Sequence, residues 1–143
     1  MYIPTDIFSL AVIGDDELFV YNGGELILTS GMRVNTLEYQ PDPCVLALAA
    51  FNTGGIGGIL AETSTGVVTD ESWKCSLVNE TGWHLTSFDD SGWDYAWIIQ
   101  PHGAAWWPTY PGISLEANWI WPTNYTMTRD WTTAHCRKRL ACR

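Results

Sequence analysis

Leu18-Phe19-Val20-Tyr21-Asn22-Gly23-Gly24-Glu25-Leu26-Ile27-Leu28 decides the fold class of this chain. Two short apolar runs flank Asn-Gly-Gly, and an Asn-Gly step supplies the positive φ angles that a tight hairpin turn demands. The run before it, Ile7 to Ile13, ends at Gly14-Asp15-Asp16. Turn chemistry therefore reads Ile7 to Leu28 as an antiparallel meander.

The same pattern continues downstream. Pro41-Asp42-Pro43 precedes the apolar run Val45 to Phe51, which reads as a buried strand. Asn52-Thr53-Gly54-Gly55-Ile56-Gly57-Gly58 lacks the ordered spacing of a phosphate-cradling loop and has no Lys-Ser/Thr after it, so it reads as a flexible or tightly bent connection. Ile59-Leu60-Ala61, Val67-Val68 and Trp73-Lys74-Cys75-Ser76-Leu77 are further strands, the last placing Trp73, Cys75 and Leu77 on one face. Trp119-Ile120-Trp121 is stopped by Pro122, and Cys136 to Cys142 forms a closing strand. Short strands at near-regular spacing, with no long amphipathic helix, predict an antiparallel β-sandwich of the jelly-roll kind as one domain spanning 1–143.

A second organising stretch is Phe88-Asp89-Asp90-Ser91-Gly92-Trp93, with Trp83 before it and Trp97 after it. Asp and Ser side chains accept from nearby backbone amides while large rings anchor both ends, so this is a structural clasp rather than a catalytic centre.

Composition narrows the function classes. Only 16% of residues are charged and the net charge is -9. Nucleic-acid binding, which needs Lys and Arg to displace counterions from phosphates, is disfavoured. Four of the seven basic residues, Arg137, Lys138, Arg139 and Arg143, crowd the C-terminus and read as one exposed strand face. No apolar run approaches the roughly 20 residues of a membrane span. The nine tryptophans are the outlier, and at least half are expected in the core. Trp97, Trp106, Trp107 and Tyr110 lie in or beside a Pro/Gly-rich stretch expected at the surface, where planar rings can stack on sugars.

Cys44, Cys75, Cys136 and Cys142 lack the C-x-x-C spacing of zinc sites and read as two disulfides. In an extended strand Cys136 and Cys142 stand roughly 20 Å apart and cannot pair with each other. Two connectivities remain: Cys75 with Cys136 and Cys44 with Cys142, or Cys44 with Cys136 and Cys75 with Cys142. Disulfides imply an oxidising compartment, and the sequons at Asn79 and Asn124 point the same way. Met1 to Asp6 has no signal-peptide pattern, so the chain is expected to be a mature or excised portion of a secreted precursor.

Taken with Trp83, the stretch Phe88 to Trp93 resembles the signature of galactose-binding-domain-like jelly rolls, among them noncatalytic modules attached to glycosidases. Asp15-Asp16 through Tyr21-Asn22-Gly23 is similar to that fold's early hairpin, and Val45 to Ala61 to its central strands. Trp119-Ile120-Trp121 and Cys136-Arg137-Lys138 are similar to the close of its extracellular versions. The resemblance implies a β-sandwich used for carbohydrate binding, adhesion or packing within extracellular assemblies. It also implies that Trp73-Lys74-Cys75 lies beside the closing strand, which selects Cys75–Cys136 and Cys44–Cys142. No cofactor is implied as necessary. Structural Ca²⁺ occurs in many members, making Asp15, Asp16, Asp89 and Asp90 the positions to check.

An enzyme is not expected. Sugar hydrolysis needs two carboxylates about 5 to 9.5 Å apart, whereas Asp89 and Asp90 are neighbours in a turn, and no G-x-S-x-G accompanies His84, His102 or His135. The expectation is a secreted, noncatalytic module whose partners are glycans or neighbouring protein subunits. The alternative is a structural, self-assembling homo-oligomer or filament subunit with an edge open to a neighbour's strand.

Overall fold

The computed structural model describes residues 7–41, 44–104, 106–124 and 131–140. Its strands are β1 (Ile7–Asp15), β2 (Glu17–Asn22), β3 (Glu25–Ser30), β4 (Asn35–Pro41), β5 (Val45–Asn52), β6 (Gly58–Thr63), β7 (Lys74–Ser76), β8 (Asp94–Tyr95), β9 (Trp97–Pro101), β10 (Asn118–Trp121) and β11 (Thr132–Arg139). They form a five-stranded sheet ordered β4-β1-β6-β10-β9 and a six-stranded sheet ordered β3-β2-β5-β11-β7-β8. All pairings are antiparallel, and no helix occurs among the described residues. The all-β antiparallel sandwich predicted from strand spacing is the fold.

Gly14 shows which way β1 faces. A Cβ there would lie 3.0 Å from Leu18 and 3.2 Å from Ala50, both on the opposite sheet. By strand alternation Leu10 and Val12 point into the same interior, and the register carries Ile59, Ala61 and Ile120 with them. Leu18, Val20, Leu46, Leu48, Ala50 and Ala134 fill the space from the six-stranded sheet, and all of these side chains are buried.

The β2–β3 hairpin forms as predicted, with a shift of one residue. Asn22 pairs with Glu25 inside the ladder, and the two turn residues are Gly23 and Gly24, with φ of 60° and 94°. Two adjacent positive φ angles favour glycine at both positions, so the Gly-Gly step takes the turn and Asn22 stays in the strand. The meander does not extend upstream. β1 and β2 lie in different sheets, and Gly14-Asp15-Asp16 is a crossover between layers rather than a hairpin turn.

Further corrections concern short segments. Val67-Val68 contributes only an isolated bridge, Glu62 to Val68. Leu77 is exposed although Trp73 and Cys75 are buried, because β7 ends at Ser76 and alternation stops with it. Cys75 and Cys136 face each other across β7 and β11 with Cα atoms 4.1 Å apart and form a disulfide. Cys142, and with it the second expected bridge to Cys44, lies outside the described residues.

Each sheet also carries an aromatic cover on its outer face. Residues 77–93 lie over the six-stranded sheet, where Trp83, Trp93 and Phe88 pack on Ala47 and Ala49 with Phe19 and Tyr21. Residues 102–104 and 106–117 lie over the five-stranded sheet, where Trp107 stacks on Trp119 at 4.0 Å. Covered on both faces, β5 loses the apolar/polar alternation of a half-exposed strand, which explains its continuous apolar run.

Candidate functional site

Arg137 organises the cover on the six-stranded sheet. It sits on β11 opposite Ala47 and is fully buried. Its Nη1 donates to Phe88 O at 3.1 Å and to Asp90 Oδ2 at 2.5 Å, and its Nη2 donates to Leu85 O at 2.8 Å. The guanidinium lies 5.3 Å from the Phe88 ring centre. Burial pulls its pKa below the ordinary value, and the Asp90 carboxylate opposes that shift. The expectation that the basic C-terminus is one exposed face fails at this residue. Arg139, on the same face one turn of the pleat further, is exposed and donates to Thr86 O at 3.2 Å.

The predicted clasp is thus an interlocked turn closed by an arginine that sequence reasoning left out. Asp89 accepts the Ser91 amide at 3.0 Å, and those Ser91 hydrogen bonds hold its carboxyl below the usual range. Asp90 O accepts the Trp93 amide at 2.9 Å. Trp93 Nε1 donates to Glu80 Oε2 at 2.7 Å, and the Trp83 and Trp93 rings stack at 6.3 Å. Parity puts positions 137 and 139 together on the face of β11 opposite Cys136, but it does not say which of the two arginines the cover buries.

Six of the nine tryptophans are buried, namely 73, 83, 93, 107, 119 and 121, and three are exposed, namely 97, 106 and 131. The four rings proposed for sugar stacking therefore divide. Trp97 on β9 and Trp106 after it are about half exposed. Trp107 is turned inward, stacked on Trp119 and donating Nε1–H to Asp15 Oδ2 at 2.8 Å, so its faces are already covered. Tyr110 is half-buried against Trp119 at 6.0 Å. The Pro/Gly-rich stretch lies on a sheet rather than standing free, because Gly57 and Gly58 leave room for the rings beneath it. A Cβ on Gly57 would stand 2.7 Å from Trp121, and one on Gly58 would stand 2.7 Å from Trp119 and 2.9 Å from Trp107. The glycine-rich connection is bent as expected, but its last two glycines serve packing.

The acidic pairs lie on different elements. Asp16 Oδ2 accepts from Thr53 N and Oγ1 at 2.8 and 2.6 Å. Burial raises the pKa of Asp16, but hydrogen bonds from Thr53, Asp15 and Gly54 outweigh it and hold the carboxyl below its usual value. Burial pushes Asp15 the other way, up to about 6, against the opposing Trp107 hydrogen bond and with Asp16 adding to the rise. Asp89 and Asp90 belong to the clasp. Among the described residues no group of three or more His, Cys, Asp or Glu side chains gathers as a metal centre.

The histidines are tied to structure. His102 Nε2 accepts the Tyr110 amide at 2.8 Å, which leaves Nδ1 to donate to Ser114 O at 3.1 Å. His135 lies edge-on to Trp83, and burial lowers its pKa while the contact with Ser76 O opposes. His84 is tilted over Tyr21 at 4.6 Å. Asn79 is exposed in the cover loop, and Asn124 is partly buried after β10. Among the described residues no helix is long and apolar enough to cross a membrane.

Compared with known proteins, the chain matches no family profile, no curated protein and no solved structure.

Proposed function

We propose that this chain is a noncatalytic, extracellular β-sandwich module, of the galactose-binding type that its sequence resembles, whose work is to bind carbohydrate through exposed indole rings. The observation that carries this reading is the division of the tryptophans. Trp83, Trp93 and Trp107 in the covers are buried in ring contacts, whereas Trp97 on the edge strand β9 and Trp106 in the loop after it keep about half their surface in water. Gln100 Oε1 on β9 accepts the Trp106 amide at 3.3 Å, so both rings are positioned by the same strand. An aromatic face held on a sheet loses little conformational entropy when a sugar stacks on it. The disulfide between β7 and β11 favours an oxidising compartment, and the exposed sequon at Asn79 is accessible for N-glycosylation there.

Catalysis is not part of this reading: both His102 nitrogens, His135 Nδ1, Asp15 Oδ2, Asp16 Oδ2 and Asp90 Oδ2 are engaged in hydrogen bonds within the fold. No Ca²⁺ requirement enters this reading.

A second reading, self-assembly, is favoured by one feature: Tyr95, Trp97 and Ile98 are all exposed where the chain passes from β8 to β9. Strand addition at an edge is less favoured. β3 carries an extra residue at Ile27, β9 at Ile99, and β4 sets Glu38 and Tyr39 against Ser9 of β1, while β8 has two residues. Bulged or very short edges are poor templates for a neighbour's strand.

The test is glycan-array binding of the wild type beside Trp97→Ala and Trp106→Ala. Binding reduced at least tenfold in both variants supports the reading. Undiminished binding removes this surface from it, and a protein whose mass by light scattering grows with concentration while it binds no glycan favours assembly instead.

A further inference from the structure

The outer face of the six-stranded sheet is only partly covered. Its register places three side chains in each row across β2, β5 and β11: Tyr21–Ala47–Arg137, Phe19–Ala49–His135 and Glu17–Phe51–Thr133. The aromatic cover packs on the first two rows. The third row continues the same face beyond the cover's hydrophobic cluster, and Trp131 stands beside it.

Trp131 is the most exposed large hydrophobic side chain described, at 72%. It is also the one non-glycine residue with positive φ among those described, at 62°. A bulky side chain is disfavoured in that conformation and persists there only where the surroundings impose it. Here its amide donates to Asn52 O at 2.6 Å, and its ring tilts against Phe51 with centroids 5.9 Å apart. The backbone is thus held in an unfavourable conformation that leaves the ring in water, which core packing does not account for.

The ground beside this ring is polar. On the same face Phe19 pairs with Thr29, and Glu17, Phe19, Thr29 and Arg33 line a surface cleft of about 450 Å³. Glu17 and Arg33 are exposed, offering acceptor and donor groups. Past the end of β5, Gly54 and Gly55 carry no side chains, and Asp16 is occupied by Thr53.

From this arrangement we infer a second carbohydrate site, distinct from the Trp97 edge, in which Trp131 and Phe51 receive the apolar face of a pyranose. The chain of the oligosaccharide then runs over the third row toward Glu17, Thr29 and Arg33. The chemistry favours a sugar over a protein partner. A stable protein contact needs roughly 800 Å² per partner around an apolar centre, whereas two rings bordered by charges and hydroxyls match one or two sugar units. A cleft of this size lies within the range of small-ligand sites, about 300 to 1,000 Å³. The inference takes its ligand class from the carbohydrate reading above and adds a site to it.

The experiment uses the whole chain, with neutral hexasaccharides of glucose, galactose and mannose, α- and β-linked, as probes. Tryptophan emission and calorimetry report binding, and thermal melts report folding. Trp131→Ala and Trp131→Gly are expected to weaken binding of at least one probe tenfold or more. Trp131→Gly is expected to melt no lower than the wild type, because glycine accepts the positive φ. If both variants bind every probe as the wild type does while Trp97→Ala fails, the second site is refuted and the carbohydrate reading stands. A wild type that binds no probe overturns both. A wild-type oligomer that Trp131→Ala converts to a monomer, with no response to any saccharide, assigns the ring to a protein contact and overturns the inference.

Discussion

Replacing Arg137 by Met tests whether one guanidinium holds the cover on the six-stranded sheet. The substitution preserves length and apolar volume but deletes the donors to Phe88 O, Asp90 Oδ2 and Leu85 O. The Asp90 carboxylate then loses its ion-pair partner beside a buried face, while Leu85 O keeps the Phe88 amide and Phe88 O keeps Arg139. Breaking a buried charged pair by removing one member costs about 3 to 5 kcal/mol. Asp90 keeps 20% of its side chain in water, which places the expected loss near the lower end, ~3 kcal/mol. At about 2 to 4 °C per kcal/mol for a domain of this size, the melting temperature should fall by roughly 6 to 12 °C. The cover should loosen first, so emission from Trp83 and Trp93 should shift to the red below the main transition. Arg137→Lys should recover little of the loss, since one ammonium cannot reproduce the planar fork that meets three acceptors. Urea unfolding provides the measurement. A loss under about 1 kcal/mol with unchanged emission would show that Arg137 does not hold the cover, because the buried contacts would then be worth no more than a surface pair.

Two further substitutions probe the opposite layer. Gly58→Ala drives a methyl into Trp119 and Trp107, with nearest approaches of 2.7 and 2.9 Å, and should cost about 1 to 3 kcal/mol by overpacking; a variant as stable as the wild type in urea would show that the rings can shift. Asp15→Asn keeps an acceptor for Trp107 Nε1–H and removes the titration. The folded-state pKa of Asp15 is raised from 3.8 to about 6, so its contribution to stability is fully present below pH 3.8 and is lost as pH rises through about 6. The variant should therefore gain on the wild type between pH 4 and 7.5, by about 1 to 2 kcal/mol after allowing for partial exposure. Melts giving the same difference at both pH values would exclude Asp15 as the source.

The strands were legible where local chemistry determines them. Apolar runs bounded by Gly, Pro and Asp gave β2, β5 and β6 nearly to the residue, because a strand buried on at least one face must be written in such runs. Layer assignment was not legible at Asp15-Asp16, since a hairpin turn and a crossover between sheets use the same polar residues. The clasp was visible as Phe88 to Trp93, but its arginine lies 47 residues further along, and nothing local separates a buried guanidinium from a solvated one. Trp106 and Trp107 show the same limit: adjacent in sequence and identical in type, they part because Trp107 packs onto Gly58 and Trp119 while Trp106 keeps about half its surface in water. Trp131 carried no local signal, as its exposure follows from where the cover stops.

The two aromatic covers also explain how so small a charge complement coexists with an ordered sandwich. A sheet that is apolar on both faces would normally present its outer face to other molecules. Here loops of the same chain occupy those faces, with Trp83 and Trp93 on one side and Trp107 on the other, each indole N–H satisfied by Glu80 or Asp15 in the two cases where a carboxylate lies within reach. Irregular ladders blunt the long edges, so backbone pairing with a neighbour is disfavoured there as well. What remains for recognition is side chains that neither cover absorbs. Trp97, Trp106 and Trp131 are the largest of these: Trp97 opens β9, Trp131 immediately precedes β11, and the Trp106 amide is held by the Gln100 side chain of β9. On the proposed carbohydrate reading, a half-exposed ring with polar neighbours suits contact with a sugar, where one flat face and a few directional hydrogen bonds suffice, better than contact with a broad protein surface.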